Sequence, residues 1–118
     1  MSTIYVQNLE IYAILGIKPE ERENKQKLKI DYWIEAEIEQ AMQTDAIEDC
    51  VNYRTINKAI LHLVENSNFN TIERLVSVVL DCILAFSGVL SAKVKIAKPG
   101  ALRYAESVAI TAERHNHV

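Results

Sequence analysis

Gln26-Lys27-Leu28-Lys29-Ile30-Asp31-Tyr32-Trp33-Ile34-Glu35-Ala36-Glu37-Ile38-Glu39 alternates with a period of two: Leu28, Ile30, Tyr32, Ile34, Ala36 and Ile38 share one side, and Lys29, Asp31, Glu35 and Glu37 the other. Successive side chains of an extended chain point to opposite faces, so the pattern predicts one long strand, covered on its apolar side and polar on the other. Toward the N-terminus, Ile4 and Val6 predict a shorter strand. Toward the C-terminus, Ala92 to Ala97 and Ala105 to Ala112 predict two more. Between these pairs the spacing changes to three and four. Ile56, Ala59, Ile60, Leu63 and Val64 form one apolar stripe, and Ile72, Leu75, Val76, Val79, Leu80 and Ile83 form a second, so two amphipathic helices follow each other. Asn70, with Glu73 three residues later, predicts the start of the second helix, and Asn66-Ser67-Asn68 the turn before it.

The order is ββααββ. Grouped strands and grouped helices predict an α+β domain, a four-stranded antiparallel sheet with both helices on one face. An open sheet leaves two unpaired edges, and neighbouring subunits can continue it into a closed barrel whose polar face lines an interior.

Composition bounds the rest. With 118 residues, 49% hydrophobic and 25% charged, the expectation is one domain over residues 1–118. The longest apolar stretch, Val76 to Phe86, is broken by Ser77 and Asp81 and is too short to cross a bilayer. Met1-Ser2-Thr3 leads straight into alternating residues with no basic region, which predicts no signal peptide, no membrane partner and a cytoplasmic location. Cys50 and Cys82 lack CxxC spacing and read as free thiols. A net charge of −3 offers no footprint for nucleic acid.

Most catalytic signatures are missing: there is no GxSxG, no Gly-rich phosphate loop and no HExxH. His62 lies in the first helix and His115 and His117 in a polar tail, so no zinc triad is predicted. Polar residues concentrate in three segments, Gly16 to Gln26, Val51 to Arg54, and Lys98 to Ala101. Each has an ordinary reading alone. Glu20, Glu21 and Glu23 read as a solvated cluster, Tyr53 as a tyrosine packed at a helix start, and Lys98 as surface charge before the Pro99-Gly100 turn.

Together the segments closely resemble the dihydroneopterin aldolase family. The resemblance rests on Gly16-Ile17 with Glu21 five residues after Gly16 and Gln26 five further on, then Asn52-Tyr53, Ile72-Glu73-Arg74-Leu75 and Lys98-Pro99-Gly100-Ala101. It covers nearly the whole chain, in order. It implies the tunnelling fold, with four subunits in a ring, two rings stacked into a homo-octamer, and active sites between neighbours. The implied activity is that of a lyase of folate biosynthesis. It cleaves 7,8-dihydroneopterin by a retro-aldol reaction to 6-hydroxymethyl-7,8-dihydropterin and glycolaldehyde. The substrate's own N5=C6 imine accepts the electrons, so the resemblance implies no cofactor and no metal.

By the same resemblance, Glu73 holds the pterin edge through its 2-amino group and N3–H, with backbone groups near Val51 and Ile72. Lys98 serves in removing the 2′-hydroxyl proton, and must then be at least partly neutral. Tyr53 relays a proton to the side-chain carbon and lies against the ring, and Glu21 orients the side-chain hydroxyls. A sister branch of the fold epimerises dihydroneopterin triphosphate at C2′ with the same Glu, Tyr and Lys set. Asn52-Tyr53-Arg54-Thr55 and Ala101-Leu102-Arg103-Tyr104-Ala105-Glu106-Ser107 look like that branch, whereas Lys98-Pro99-Gly100-Ala101 and Glu113-Arg114 look like the aldolase. Arg54 and Arg103 suit either a triphosphate or surface ion pairs. On sequence alone cleavage comes first, epimerisation second, and a non-catalytic ring protein that binds a pterin or purine is the reading from another class.

Overall fold

The alternating segment folds as a strand, Gln26–Ala36, in which Leu28, Ile30, Tyr32, Ile34 and Ala36 are fully buried. The structure is a computed structural model, and it describes residues 2–116. Its elements run β1 (Ser2–Ala13), α1 (Pro19–Glu23), β2 (Gln26–Ala36), α2 (Glu39–Thr44), a 3₁₀ turn (Ile47–Asp49), α3 (Tyr53–Glu65), α4 (Ile72–Leu84), β3 (Val89–Pro99) and β4 (Ser107–His115). The strands form one antiparallel sheet in the order β1-β2-β3-β4. The ββααββ order holds, with three short helical turns inserted between its elements.

Strand β1 is longer than Ile4 and Val6 indicate, and the reason is a bulge. Val6 faces Tyr32 but Leu9 faces Ile30, so one extra residue enters β1 between them. Asn8 sits there with φ 59°, and its backbone N–H donates to Asp31 Oδ1 at 2.7 Å. The inward set changes phase, from Ile4 and Val6 to Leu9, Ile11 and Ala13, which breaks a strict period of two. Strand β2 ends at Ala36, where its register against β3 slips, and Ile38 instead precedes the first turn of α2.

Helix α3 buries Ile56, Ile60 and Val64, and α4 buries Leu75, Val76, Val79, Leu80 and Ile83; both share one core with β2 and with Val94 and Ile96 of β3. The cap of α4 is Thr71, not Asn70: Thr71 Oγ1 accepts from the Arg74 N–H at 3.2 Å. Glu73 therefore lies at the second helical position, too early to reach back as a capping-box partner. Arg114 Nη1 donates to Asp81 Oδ1 at 2.6 Å and joins β4 to α4. His115 is not in a tail but ends β4 opposite Ser91; His117 lies outside the described residues.

The opposite sheet face is open and polar. Tyr5 of β1 stacks on Trp33 of β2 with ring centroids 4.8 Å apart, and Lys93 Nζ lies 5.0 Å from the Trp33 centroid. Among the described residues no helix is long and apolar enough to cross a membrane.

Candidate active site

Glu21 and Lys98, separated by 77 positions in sequence, meet in an ion pair in which Lys98 Nζ donates to Glu21 Oε2. Lys98 is brought there as the penultimate residue of β3, opposite Val108. A hairpin whose Gly100 has φ 72°, and whose N–H donates to the Glu106 carbonyl at 3.0 Å, closes just beyond it. Glu21 comes from α1, which Pro19 starts with its fixed φ and missing N–H. The Lys18 backbone N–H donates to Glu21 Oε1 at 3.3 Å. The Glu21 side chain is 21% exposed and that of Lys98 14%, so the pair is largely withdrawn from solvent.

Lys98 first, then the Lys18 backbone N–H, hold the Glu21 carboxyl down to about 2, against a smaller opposing push from burial. The loop before α1 is shaped to permit this. Gly16 has φ 127°, and a Cβ there would lie 2.4 Å from Glu21 Cδ, so only glycine lets the carboxylate pack over the backbone. The Gly16 N–H donates to the Phe69 carbonyl at 3.2 Å. Arg22 Nη1 donates to the carbonyls of Gly16 at 3.1 Å and Phe69 at 3.2 Å. Gln26 Nε2 donates to the Leu15 carbonyl and fixes the far side of the loop. The clasp by Arg22 and Phe69 carries no signal in the sequence, because both partners it joins are backbone carbonyls.

Phe69 stands just before α4, so this clasp brings the start of α4 to the Glu21 end of the molecule. Ile72 is half-buried there; Glu73 is exposed, with no ion-pair or hydrogen-bond partner among the described residues. Tyr53 and Val51 lie elsewhere. Lys25 Nζ donates to the Glu65 carbonyl at 3.1 Å, which ties the C-terminal end of α3 beside the start of β2. Tyr53 opens the other end of that 13-residue helix, and at 1.5 Å per residue the two ends are about 18 Å apart. Tyr53 is 51% exposed and Val51 9%. One copy of the chain thus gathers Glu21, Lys98, Ile72 and Glu73 at one end and carries Tyr53 and Val51 at the other. Among the described residues no group of His, Cys, Asp or Glu is arranged to hold a metal ion.

A family profile described as dihydroneopterin aldolase matches residues 4–113. The chain is 41% identical to dihydroneopterin triphosphate 2′-epimerase of Pseudomonas aeruginosa over 98% of this chain and 94% of that protein. It is 31% identical to dihydroneopterin aldolase of Haemophilus influenzae, over 93% of each. Its fold superposes on the crystal structure of Escherichia coli dihydroneopterin aldolase in complex with neopterin with a TM-score of 0.91, at 28% identity, over 97% of this chain and 99% of that one.

Proposed function

Because the chain belongs to the dihydroneopterin aldolase family, we propose that it acts on a dihydroneopterin side chain by breaking the C1′–C2′ bond, with Lys98, Glu21, Tyr53 and Glu73 carrying the reaction. The observation that carries this reading is the Glu21–Lys98 pair. It couples a carboxylate and an ammonium, largely out of solvent, at the end of the molecule where Glu73 stands without a partner. In the free protein Lys98 is the cation of an ion pair and has no lone pair to offer. Substrate hydroxyls that take over the Glu21 oxygens loosen that hold, and once the ammonium has passed its proton to solvent water the neutral Lys98 amine accepts the proton of the 2′-hydroxyl.

Loss of that proton turns C2′–O into a carbonyl as the C1′–C2′ electron pair moves into the pterin through C6 and N5. Tyr53 then donates a proton to C1′. Release of the aldehyde completes cleavage. If C1′ instead attacks the other face of the still-bound aldehyde before it is protonated, the same bond forms again with C2′ inverted, and Lys98 returns the proton to the 2′-oxygen. Both outcomes use one set of groups. Glu73 accepts from the 2-amino group and N3–H of the ring, and the backbone at Ile72 and Val51 completes the edge.

The 41% identity to the P. aeruginosa epimerase, against 31% to the H. influenzae aldolase, favours C2′ epimerisation of the triphosphate as the working outcome. Cleavage is the second reading, favoured by the family profile and by the likeness to the neopterin-bound E. coli enzyme. The separation of Tyr53 from Lys98 within one copy supports a site completed by a neighbour. The strand order supports it too: β1 and β4 run antiparallel across an even-stranded sheet, so rotated copies can join β4 to the next β1 as an ordinary antiparallel seam.

Product analysis with dihydroneopterin and its triphosphate tests the reading. The wild type should convert at least one. Lys98→Ala should nearly abolish both reactions while pterin affinity stays within about tenfold, or roughly 1.4 kcal/mol. Near-normal turnover in Lys98→Ala would move the base to another group.

A further inference from the structure

The first turns of α3 carry two cations to which the site described above gives no role. Arg54 and Lys58 are exposed, four residues apart on one helix face, and neither has an ion-pair or hydrogen-bond partner among the described residues. They line the same cavity as Tyr53, a space of about 590 Å³ bounded also by Val6, Tyr32 and Asn57. That volume suits a small organic ligand. Among the described residues no carboxylate lines it, although the chain as a whole has a net charge of −3. The floor is fixed, because the Tyr32 hydroxyl donates to Asn57 Oδ1 at 2.8 Å.

Three backbone donors of this turn are occupied, since the Thr55 N–H goes to Asn52 Oδ1 at 3.1 Å, the Tyr53 N–H to the Val51 carbonyl at 3.0 Å and the Ile56 N–H to the Asn52 carbonyl at 3.2 Å. The charge that meets an anion here is that of the side chains. Like charges at i and i+4 repel, and this pair has no acid within four residues on either side to offset it; an anion between the two groups removes that cost. A guanidinium beside an ammonium is the donor set that phosphate oxygens take.

We propose that Arg54 and Lys58 bind phosphate on the substrate side chain, so that this wall sets the preference for a phosphorylated over an unphosphorylated dihydropterin. The assignment rests on the reading of Tyr53 as part of the reaction site, since Tyr53 is what ties the cavity to the chemistry.

The probe is inorganic tripolyphosphate, titrated calorimetrically into the wild-type oligomer and into Arg54→Ala, Lys58→Ala, the double variant and Arg54→Lys. Each alanine variant should weaken binding by about tenfold or more, the double variant further still, and Arg54→Lys less than Arg54→Ala. Wild-type affinity should fall steeply with added salt. In parallel, the ratio of kcat/KM for phosphorylated to unphosphorylated substrate should drop about tenfold in each alanine variant. Equal tripolyphosphate affinity in the wild type and the double variant would overturn the proposal, as would an unmoved substrate ratio. Absence of pterin turnover in the wild type would instead sink the reaction assigned above, and the tripolyphosphate titration alone would then decide the phosphate site.

Discussion

Glu21 sets the charge balance of the site, and its titration gives a direct readout. Its carboxyl is held near 2 in the folded protein against an ordinary 4.5. A depressed carboxyl stabilises the fold fully above its unfolded value, and that contribution disappears as pH falls through the folded value. Denaturant melts between pH 5 and 2 should therefore show stability falling across roughly that span, and Glu21→Gln should flatten the dependence. Gly16→Ala tests the same packing from the other partner. An alanine at φ 127° with its Cβ 2.4 Å from Glu21 Cδ should cost about 1–3 kcal/mol and cut activity, read by thermal melts and product formation; unchanged values would mean that the loop has room the packing denies. The pair itself could not be found from spacing. Its members are 77 residues apart, and each alone reads as a surface charge, so only the family resemblance linked them, while Gly16 five residues before Glu21 was the one local clue.

Elements were legible in proportion to their unbroken length. Strand β2 declared itself because every second residue from Leu28 to Ala36 is buried, whereas β1 shows half its extent because the bulge at Asn8 shifts the phase. Helices α1 and α2, of five and six residues, are too short for a 3.6-residue period to repeat. The start of α4 turns on two adjacent residues that can both cap, and although Asn is the stronger capping type the chain uses Thr71. Thr71→Ala should accordingly cost about 1 kcal/mol in equilibrium unfolding and Asn70→Ala close to none. The reverse order would return the cap to Asn70. Because α4 presents Glu73 and Ile72, the Thr71 variant should also weaken pterin binding, whereas an effect on stability alone would detach the cap from the site.

At the scale of the whole molecule, the proposed site residues lie in two groups about a helix length apart in one copy, and the proposed reaction requires each group beside its complement on another copy. Light scattering should therefore find an oligomer at micromolar concentration, and a monomer would remove the shared site. Complementation is the sharper measurement. Lys98→Ala and Tyr53→Ala, each nearly inactive alone, should regain about a quarter of wild-type turnover when unfolded together and refolded in equal amounts, since random pairing leaves that share of seams intact. No recovery would mean that both residues serve the same copy. Trp33 offers a way to watch the assembly without any substrate. It is the only tryptophan in the chain, and it lies on the open face, sandwiched in a column with Tyr5 of the edge strand β1 and Lys93 of β3. If copies join along β1 as proposed, its intrinsic fluorescence reports on that seam: dilution that frees the β1 edge should loosen Tyr5, change the quenching of the indole and shift its emission, giving a label-free optical gauge of the proposed assembly, and an emission that does not move on dilution would count against a seam there.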